Sequence, residues 1–423
     1  MAIESEVLVV GGGLAGLTSA LAAARAGADT RLVSAKQSTL RHASGLVDVL
    51  GYTPDGEGPL ADPFAAIPDL PETHPYRTVG VETVRAALAL FDEHVSGYSG
   101  AHTDRNALVP THGGTVKPTA RYPESVAAGL ASDDRDALLV GFDAMTDFDA
   151  ERVASHLDAA GVPFDTRGVT IEFPGELRAD AGITRYAKLL DDDATVSVRG
   201  QDRLVRGALA EQVERALAGE SRVGFPAVLG DDAAGAVRDE LRDRLGIPVF
   251  EVPMGPPSLP GLRLEDRLFE AVTEAGVRIE TGNPVVDFEG EGRIETVSVD
   301  KNGAKIPYSA EQFVLATGGL VGKGVDSDRE RVSEPIFDCQ VAHPEDRYDW
   351  SEEAVFGDHE FAGFGVETDE GLRPVDADGR VEFENLRAAG SVLGGYDFAA
   401  EKSGSGVSLA TGYHAGTTAT TEL

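Results

Sequence analysis

Cysteine is nearly absent from this chain of 423 residues: Cys339 stands alone. A single thiol excludes an intrachain disulfide, a Cys-x-x-Cys redox pair and a four-thiolate iron–sulfur cluster. Redox chemistry, if present, therefore needs a bound organic cofactor or a partner. Lysine is scarce as well, limited to Lys36, Lys117, Lys188, Lys301, Lys305, Lys323 and Lys402. Lys and Arg together number 37 against 72 Asp and Glu, a formal net charge of −35. Phosphate backbones and anionic lipids need clustered cations, so neither nucleic acid nor a bare anionic membrane is an expected partner. The 42% hydrophobic share is too high for a disordered acidic chain. The charge reads instead as an acidic, solvated surface on a globular core, tuned to molar salt where the Debye length falls to about 3 Å.

Other absences narrow the chemistry. No G-K-[ST] ending follows the glycine-rich loop, which argues against a nucleoside triphosphatase. No zinc-like Cys/His spacing and no Ser-His-Asp arrangement stands out, and no metal is expected. The first six residues are acidic and lack the basic start of a secretory leader, so the expected location is the cytoplasm. The most apolar stretch, residues 7–24, is broken by glycines at 11, 12, 13 and 16 and by Thr18-Ser19. That suits a strand, turn and helix better than a membrane span. The length suggests two or three structural units.

What is present is an α/β pattern. Residues 6–10 are apolar and β-branched, as in a strand buried on both faces. Residues 17–26 are rich in Ala and Leu, Gly27 stops that helix, and residues 30–33 read as a second strand. Residues 52–135 are irregular and punctuated by prolines, with one clear helix over 81–95. Strands at 137–141, 223–229 and 247–252, with helices over 149–160, 205–218 and 232–245, make the middle its own α/β unit. A helix at 262–275 and strands at 277–281, 284–289, 294–300 and 304–308 follow. They lead to a strand-to-glycine junction at 312–319, a second at 386–390, and a helix from Val407 opened by Ser403-Gly404-Ser405-Gly406.

Gly11, Gly13 and Gly16 satisfy G-x-G-x-x-G between a strand and a helix. The first glycine permits the turn, the second lets a pyrophosphate approach the backbone, and the third lets helix and strand pack closely. The acid that usually follows about 20 residues on, accepting from the adenosine ribose, is missing. Ser34 stands at the end of the second strand instead, and serine is the weaker acceptor.

Five segments carry a family resemblance: Val9-Val10-Gly11-Gly12-Gly13-Leu14-Ala15-Gly16-Leu17, Arg41-His42-Ala43-Ser44-Gly45, Phe313-Val314-Leu315-Ala316-Thr317-Gly318-Gly319, Phe364-Gly365-Val366-Glu367-Thr368-Asp369 with Leu372-Arg373-Pro374, and Ala389-Gly390-Ser391-Val392-Leu393-Gly394-Gly395-Tyr396-Asp397. With them the chain resembles the B subunits of anaerobic glycerol-3-phosphate dehydrogenases, flavoproteins related to the glutathione-reductase and fumarate-reductase folds. The resemblance implies an α/β, FAD/NAD(P)-binding Rossmann-like flavoprotein fold. Its flavin domain would comprise residues 1–51 and 254–423, with an inserted α/β cap or partner domain at 52–253. It implies a quinone-linked oxidation of glycerol 3-phosphate to dihydroxyacetone phosphate. Partners would be a catalytic flavoprotein subunit plus a membrane-anchored iron–sulfur subunit, which would hold the chain at the inner face of the membrane. The alternatives are a stand-alone fumarate-reductase-like oxidoreductase and a degenerate flavoprotein kept as a structural bridge.

By the same resemblance the cofactor contacts are Gly11, Gly13, Leu14, Ala15, Gly16 and Ser34 around the phosphates and ribose. Ala316, Thr317 and Gly318 close over the nucleotide, and Gly390, Ser391, Gly394, Gly395, Gly404, Ser405 and Gly406 meet the ribityl chain and ring. Ser391 departs from the Asp or Glu that many relatives carry there. The N-terminus of the last helix is expected to stabilise charge on a reduced flavin. The missing ribose acid leaves both an adenine-containing cofactor and a flavin mononucleotide open, and by the resemblance FMN is slightly favoured over FAD. His42 is a candidate for proton transfer, and His74 a similar one. Lys117 and Arg121, on a Gly/Thr/Pro loop, are candidates for the substrate phosphate. Arg331 and Glu334 either line the cleft or form an exposed pair.

Overall fold

The computed structural model describes residues 2–423 apart from 176, 179, 180, 199 and 356. The chain divides into two compact units, each drawn from separated stretches. The first comprises the residues up to Thr39, Asp48–Ser96 and Asp266–Leu423, and the second comprises Leu40–Val47 and Gly97–Glu265.

The first unit is built on a seven-stranded sheet. The strand Ile3–Val10 lies at its centre, parallel to Thr30–Ser34 on one side and to Ala304–Leu315 on the other. Arg278–Thr281 extends the parallel part beyond Thr30–Ser34. Thr296–Lys301 and Val285–Glu289 pair antiparallel beyond Ala304–Leu315, and Leu386–Ala388 joins the same long strand in parallel near its end. Val10, Val33, Leu315 and Ala388 stand in register, so four strands end at one level. Val7 to Val10 and Phe313 to Leu315 are almost wholly buried, as a strand covered on both faces requires. Two helices cross at close range on this sheet. Cβ atoms on Gly412 and Gly416 would collide with the backbone of Ala15 and Ser19, so the last helix, Gly404–Thr421, lies directly on the first, Leu14–Arg25.

The second unit has a four-stranded, wholly parallel sheet in the order Val249–Val252, Arg222–Pro226, Ala137–Phe142, Thr166–Ile171. The helices Ala150–Ala160, Val205–Ala216 and Ala234–Leu245 fall where the apolar spacing places them. Arg222 is fully buried, donates to the carbonyls of Ala128, Leu130, Asp133 and Arg135, and lies 4.2 Å over the Phe164 ring. Each hydrogen bond from a charged donor contributes about 1.5–3 kcal/mol, and together they offset the guanidinium's desolvation.

The unit boundaries differ from the expected 51/52 and 253/254. Residues 52–96 belong with the first unit: the Tyr76 hydroxyl donates to the Val49 carbonyl at 2.6 Å, and the helix Val81–His94 packs on the last helix. Residues 254–265 belong with the second, where Arg263 pairs with Glu251 at 2.6 Å. Proline-rich composition marks irregular backbone, and says nothing about which core the segment covers.

Candidate functional site

The glycine-rich turn sits where the central strand meets the first helix. Gly11 has φ +121°, and a Cβ there would overlap the Ala316 carbonyl, so only glycine lets these two strand ends lie together. A Cβ on Gly16 would overlap the Gly11 carbonyl, which fixes helix against turn. Gly13 differs: nothing lies within 4 Å of where its Cβ would be. It is also the N-cap of the first helix, and no side chain caps that end. The first-turn amides of Leu14, Ala15 and Gly16 thus belong to a helix N-terminus that a phosphate satisfies well, through amide donors and the helix dipole.

The other junctions assemble around the same strand ends. The Gly319 amide donates to Ser391 Oγ at 3.2 Å, which ties the loop after Ala304–Leu315 to the loop after Leu386–Ala388. Gly390, with φ +80°, packs on Ala15, and its amide donates to Thr411 Oγ1 of the last helix at 2.9 Å. The hydroxyls of Thr317 and Tyr396 are buried, and neither has a hydrogen-bond partner among the described residues. A buried hydroxyl left unpaired costs about 1–3 kcal/mol, so each is a donor suited to a ligand oxygen or nitrogen. An open glycine cap, an uncapped helix and orphaned hydroxyls on the same glycine loops fit a flavin nucleotide.

The remaining expected contacts divide by what their atoms touch. Ser34 lies buried against Gly12, and its hydroxyl donates to the Lys36 carbonyl at 2.7 Å, leaving its oxygen as the acceptor. Ser405 Oγ accepts from the Asp48 amide at 2.7 Å, so this side chain closes a protein contact. Gly395 and Gly406 leave room for the Thr73 carbonyl and the Tyr76 hydroxyl, and Gly394 packs on the Gly365 backbone. A Cβ on Gly404 would lie 3.2–3.5 Å from the Phe398 side chain. Ala316 and Gly318 stand at the Gly11 and Gly322 contacts.

His42 closes a short helical turn, Thr39–His42, and belongs to the second unit, as do Lys117 and Arg121. Arg121 is buried and donates to the Gly100 and Ala120 carbonyls at 3.1 and 3.0 Å. Thr111 and Thr115 close the loop before Lys117 with a 2.8 Å hydroxyl contact. Arg331 pairs at 3.8 Å with Asp338, not with Glu334, which is buried and accepts from the Ile336 and Phe337 amides. Burial pushes the Glu334 carboxyl up to about 7. Sequence spacing gives no sign of the contact between His74 and Glu401, whose partners lie 327 residues apart. Among the described residues no cluster of His, Cys, Asp and Glu is arranged to hold a metal ion.

A mixed sheet with a parallel centre, whose central glycine turn opens onto an uncapped helix, is the layout of a dinucleotide-binding protein. The family model described as "FAD binding domain" matches residues 6–407 and sharpens the class to FAD-binding flavoproteins. A probable anaerobic glycerol-3-phosphate dehydrogenase B subunit from Halobacterium salinarum is 70% identical over 420 residues, 99% of this chain and 98% of that one. The B subunit from Pectobacterium atrosepticum is 31% identical over 421 residues, 97% of each chain. The chain belongs to the family of anaerobic glycerol-3-phosphate dehydrogenase B subunits. A 3-ketosteroid delta1-dehydrogenase from Sterolibacterium denitrificans covers 99% of the chain at 10% identity and a TM-score of 0.45, a likeness too slight to carry weight. The family match is to an FAD domain and gives no support to the FMN preference.

Proposed function

We propose that this chain is the flavin-binding subunit of a quinone-linked glycerol-3-phosphate dehydrogenase of the anaerobic type. The observation that carries the reading is identity of 70% across essentially the whole length of both chains, with the open Gly13 turn intact. FAD is the cofactor we assign, with its phosphates at the first helix N-terminus and Thr317 over the nucleotide. The chain offers few lysines, so backbone amides and the helix dipole do the work of cations here. Bound flavin would supply a two-electron redox centre to the oxidation of glycerol 3-phosphate to dihydroxyacetone phosphate, whose first step falls chiefly to the catalytic flavoprotein partner. The chain's residues bind and orient it: Gly11 and Gly16 shape the turn, Gly13 leaves space, and Ser391 joins two of the loops. His42, Lys117 and Arg121 receive no step in this reading.

Two partners complete the route: a catalytic flavoprotein, where glycerol 3-phosphate is chiefly oxidised, and a membrane-anchored iron–sulfur protein that receives the electrons. The single cysteine and the lack of any described helix long and apolar enough to cross a membrane support that division of labour. Purified chain, alone and together with its co-expressed partners, should be assayed for dye reduction by glycerol 3-phosphate. Bound FAD with turnover only in the assembled complex is expected. Full turnover by the chain alone would contradict the role of the partners, and a colourless chain the role of the flavin.

A further inference from the structure

Next to the glycine junctions of the first unit lies a buried polar cluster that the cofactor reading leaves without a task. The side chains of His74 and Glu401 are 0% and 2% exposed. The Tyr76 amide donates to His74 Nδ1 at 3.0 Å. An accepting Nδ1 carries no proton, which assigns the ring hydrogen to Nε2, 3.1 Å from Glu401 Oε2. The same carboxylate oxygen accepts from the Ser403 hydroxyl at 2.8 Å, and Oε1 accepts from the Asp397 amide at 3.2 Å. Three donors and no competing acceptor suit the anion. Among the described residues no lysine or arginine is paired with it, and the imidazole facing it is the neutral form. Glu401 therefore brings a buried negative charge to the cluster, and Asp48, also buried, is a second acid beside Tyr76. Burial pushes the Tyr76 and Tyr396 phenols up, and the neighbouring Glu401 charge adds to the effect.

The cluster staples the pieces that bear the cofactor glycines. The Glu401 carbonyl accepts from the Gly51 and Tyr52 amides at 2.8 and 2.9 Å. Gly395 packs on the Thr73 carbonyl, next to His74, and Gly406 packs on the Tyr76 hydroxyl. The Tyr396 ring meets His74 edge-on at 5.6 Å, and Ser403 is the residue before the last helix.

We propose that His74 and Glu401 are positioning residues for the flavin. The pair fixes residues 395–406, and it places a resident negative charge beside Ser403, the residue that precedes the last helix, where it makes the bound flavin harder to reduce. A fixed anion opposes any further negative charge nearby, most strongly where water is excluded, and it offsets the positive end of the helix dipole. The expectation that this helix end simply favours the reduced cofactor is thereby revised. The proposal rests on the reading that these junctions hold flavin.

Its test compares wild-type chain, Glu401→Gln, His74→Asn and His74→Leu, each reconstituted with FAD, for FAD dissociation constant and midpoint potential at fixed pH and salt. Glu401→Gln keeps an oxygen for His74 and Ser403 and loses the charge, so its potential moves positive while affinity stays within about threefold. His74→Leu weakens FAD binding about tenfold, the loss of one to two hydrogen bonds, and His74→Asn, an acceptor for the Tyr76 amide and a donor, recovers most of it. An unchanged potential in FAD-loaded Glu401→Gln would overturn the electrostatic role. Unchanged affinity in both His74 variants would overturn the positioning role. Wild-type chain that takes up no FAD would overturn the cofactor reading itself, a separate outcome because it precedes any variant.

Discussion

Both units place helices after parallel strands, and two helix N-termini of the second unit contrast with the glycine turn of the first. In the second unit Asp149 caps Ala150–Ala160 by accepting from the Arg152 amide. There too the Asp191 carboxylate accepts from the amides of Asp231, Asp232 and Ala233 at 2.8, 3.2 and 2.9 Å, filling the end of Ala234–Leu245. In the first unit the corresponding helix begins at Gly13 with no side-chain cap and open space beside it. A helix N-terminus attracts one anion. At these two ends the second unit supplies it from its own chain, whereas at Gly13 no side chain does. The parallel α/β layout is shared, and this difference is what the proposed nucleotide site rests on.

The buried carboxylates differ in the same manner. Glu251 of the second unit is fully buried, yet Arg263 holds its carboxyl below the usual range, with the Leu229 amide adding a donor. Glu334 of the first unit has amide donors but no cation paired with it among the described residues, and burial raises it.

The most damaging change to this contrast is Arg263→Ala. Stranding Glu251 in the core should cost about 3–5 kcal/mol, read as early urea unfolding of the second unit while FAD absorbance persists. Loss of FAD at the same denaturant concentration would show that the units are not separable. Next is Gly13→Asp, which gives the first unit the second unit's solution. FAD binding should fall about a hundredfold, close to 2.7 kcal/mol, while the apo-protein gains up to about 1 kcal/mol from a better cap. Asp191→Asn weakens the filled helix end by about 1–2 kcal/mol and should leave FAD affinity untouched. Thr317→Val removes one orphaned hydroxyl, for a loss of about five- to tenfold in FAD affinity at near-constant stability.

The last expectation is one of sign. Glu334 in the folded chain titrates at about 7, above its ordinary 4.5. The folded state therefore binds the proton more tightly, and the stability this gives is present below pH 4.5 and lost as pH rises through about 7. Glu251 is lowered, so its contribution is present above the ordinary glutamate range and lost as pH falls. Melting temperatures of wild type and Glu334→Gln between pH 5 and 8 should diverge in favour of the variant as pH rises. Parallel curves would show that Glu334 stays ionised.

Much of the fold was legible because its signals are local. The apolar run into Gly11, the Ala-rich helix after it, and the run into Gly318 each carry their meaning within about a dozen residues. Helix Ala150–Ala160 ends at Gly161 in the left-handed conformation, as its sequence indicates. The strand at 304–308 and the strand entering the glycine junction at 312–319 proved to be one strand, Ala304–Leu315, because its first half pairs with Thr296–Lys301 and its second half with Leu386–Ala388. What stayed hidden was long-range. No spacing rule joins His74 to Glu401, or Asp191 to the turn at Asp231, since those contacts depend on the packing of separated segments. The site glycines were found as a set, but their division into open and packing positions needed the neighbouring atoms: Gly13 faces space, whereas Gly11, Gly16 and Gly390 face backbone or side chain.

The claim that the first unit keeps its helix N-terminus for a flavin nucleotide is tested most directly by purifying the chain, recording its visible spectrum, and identifying the released cofactor by chromatography. The account expects a flavin band near 450 nm and about one FAD per chain, both lost in Gly13→Asp. A colourless wild type, or FMN as the released cofactor, would contradict it.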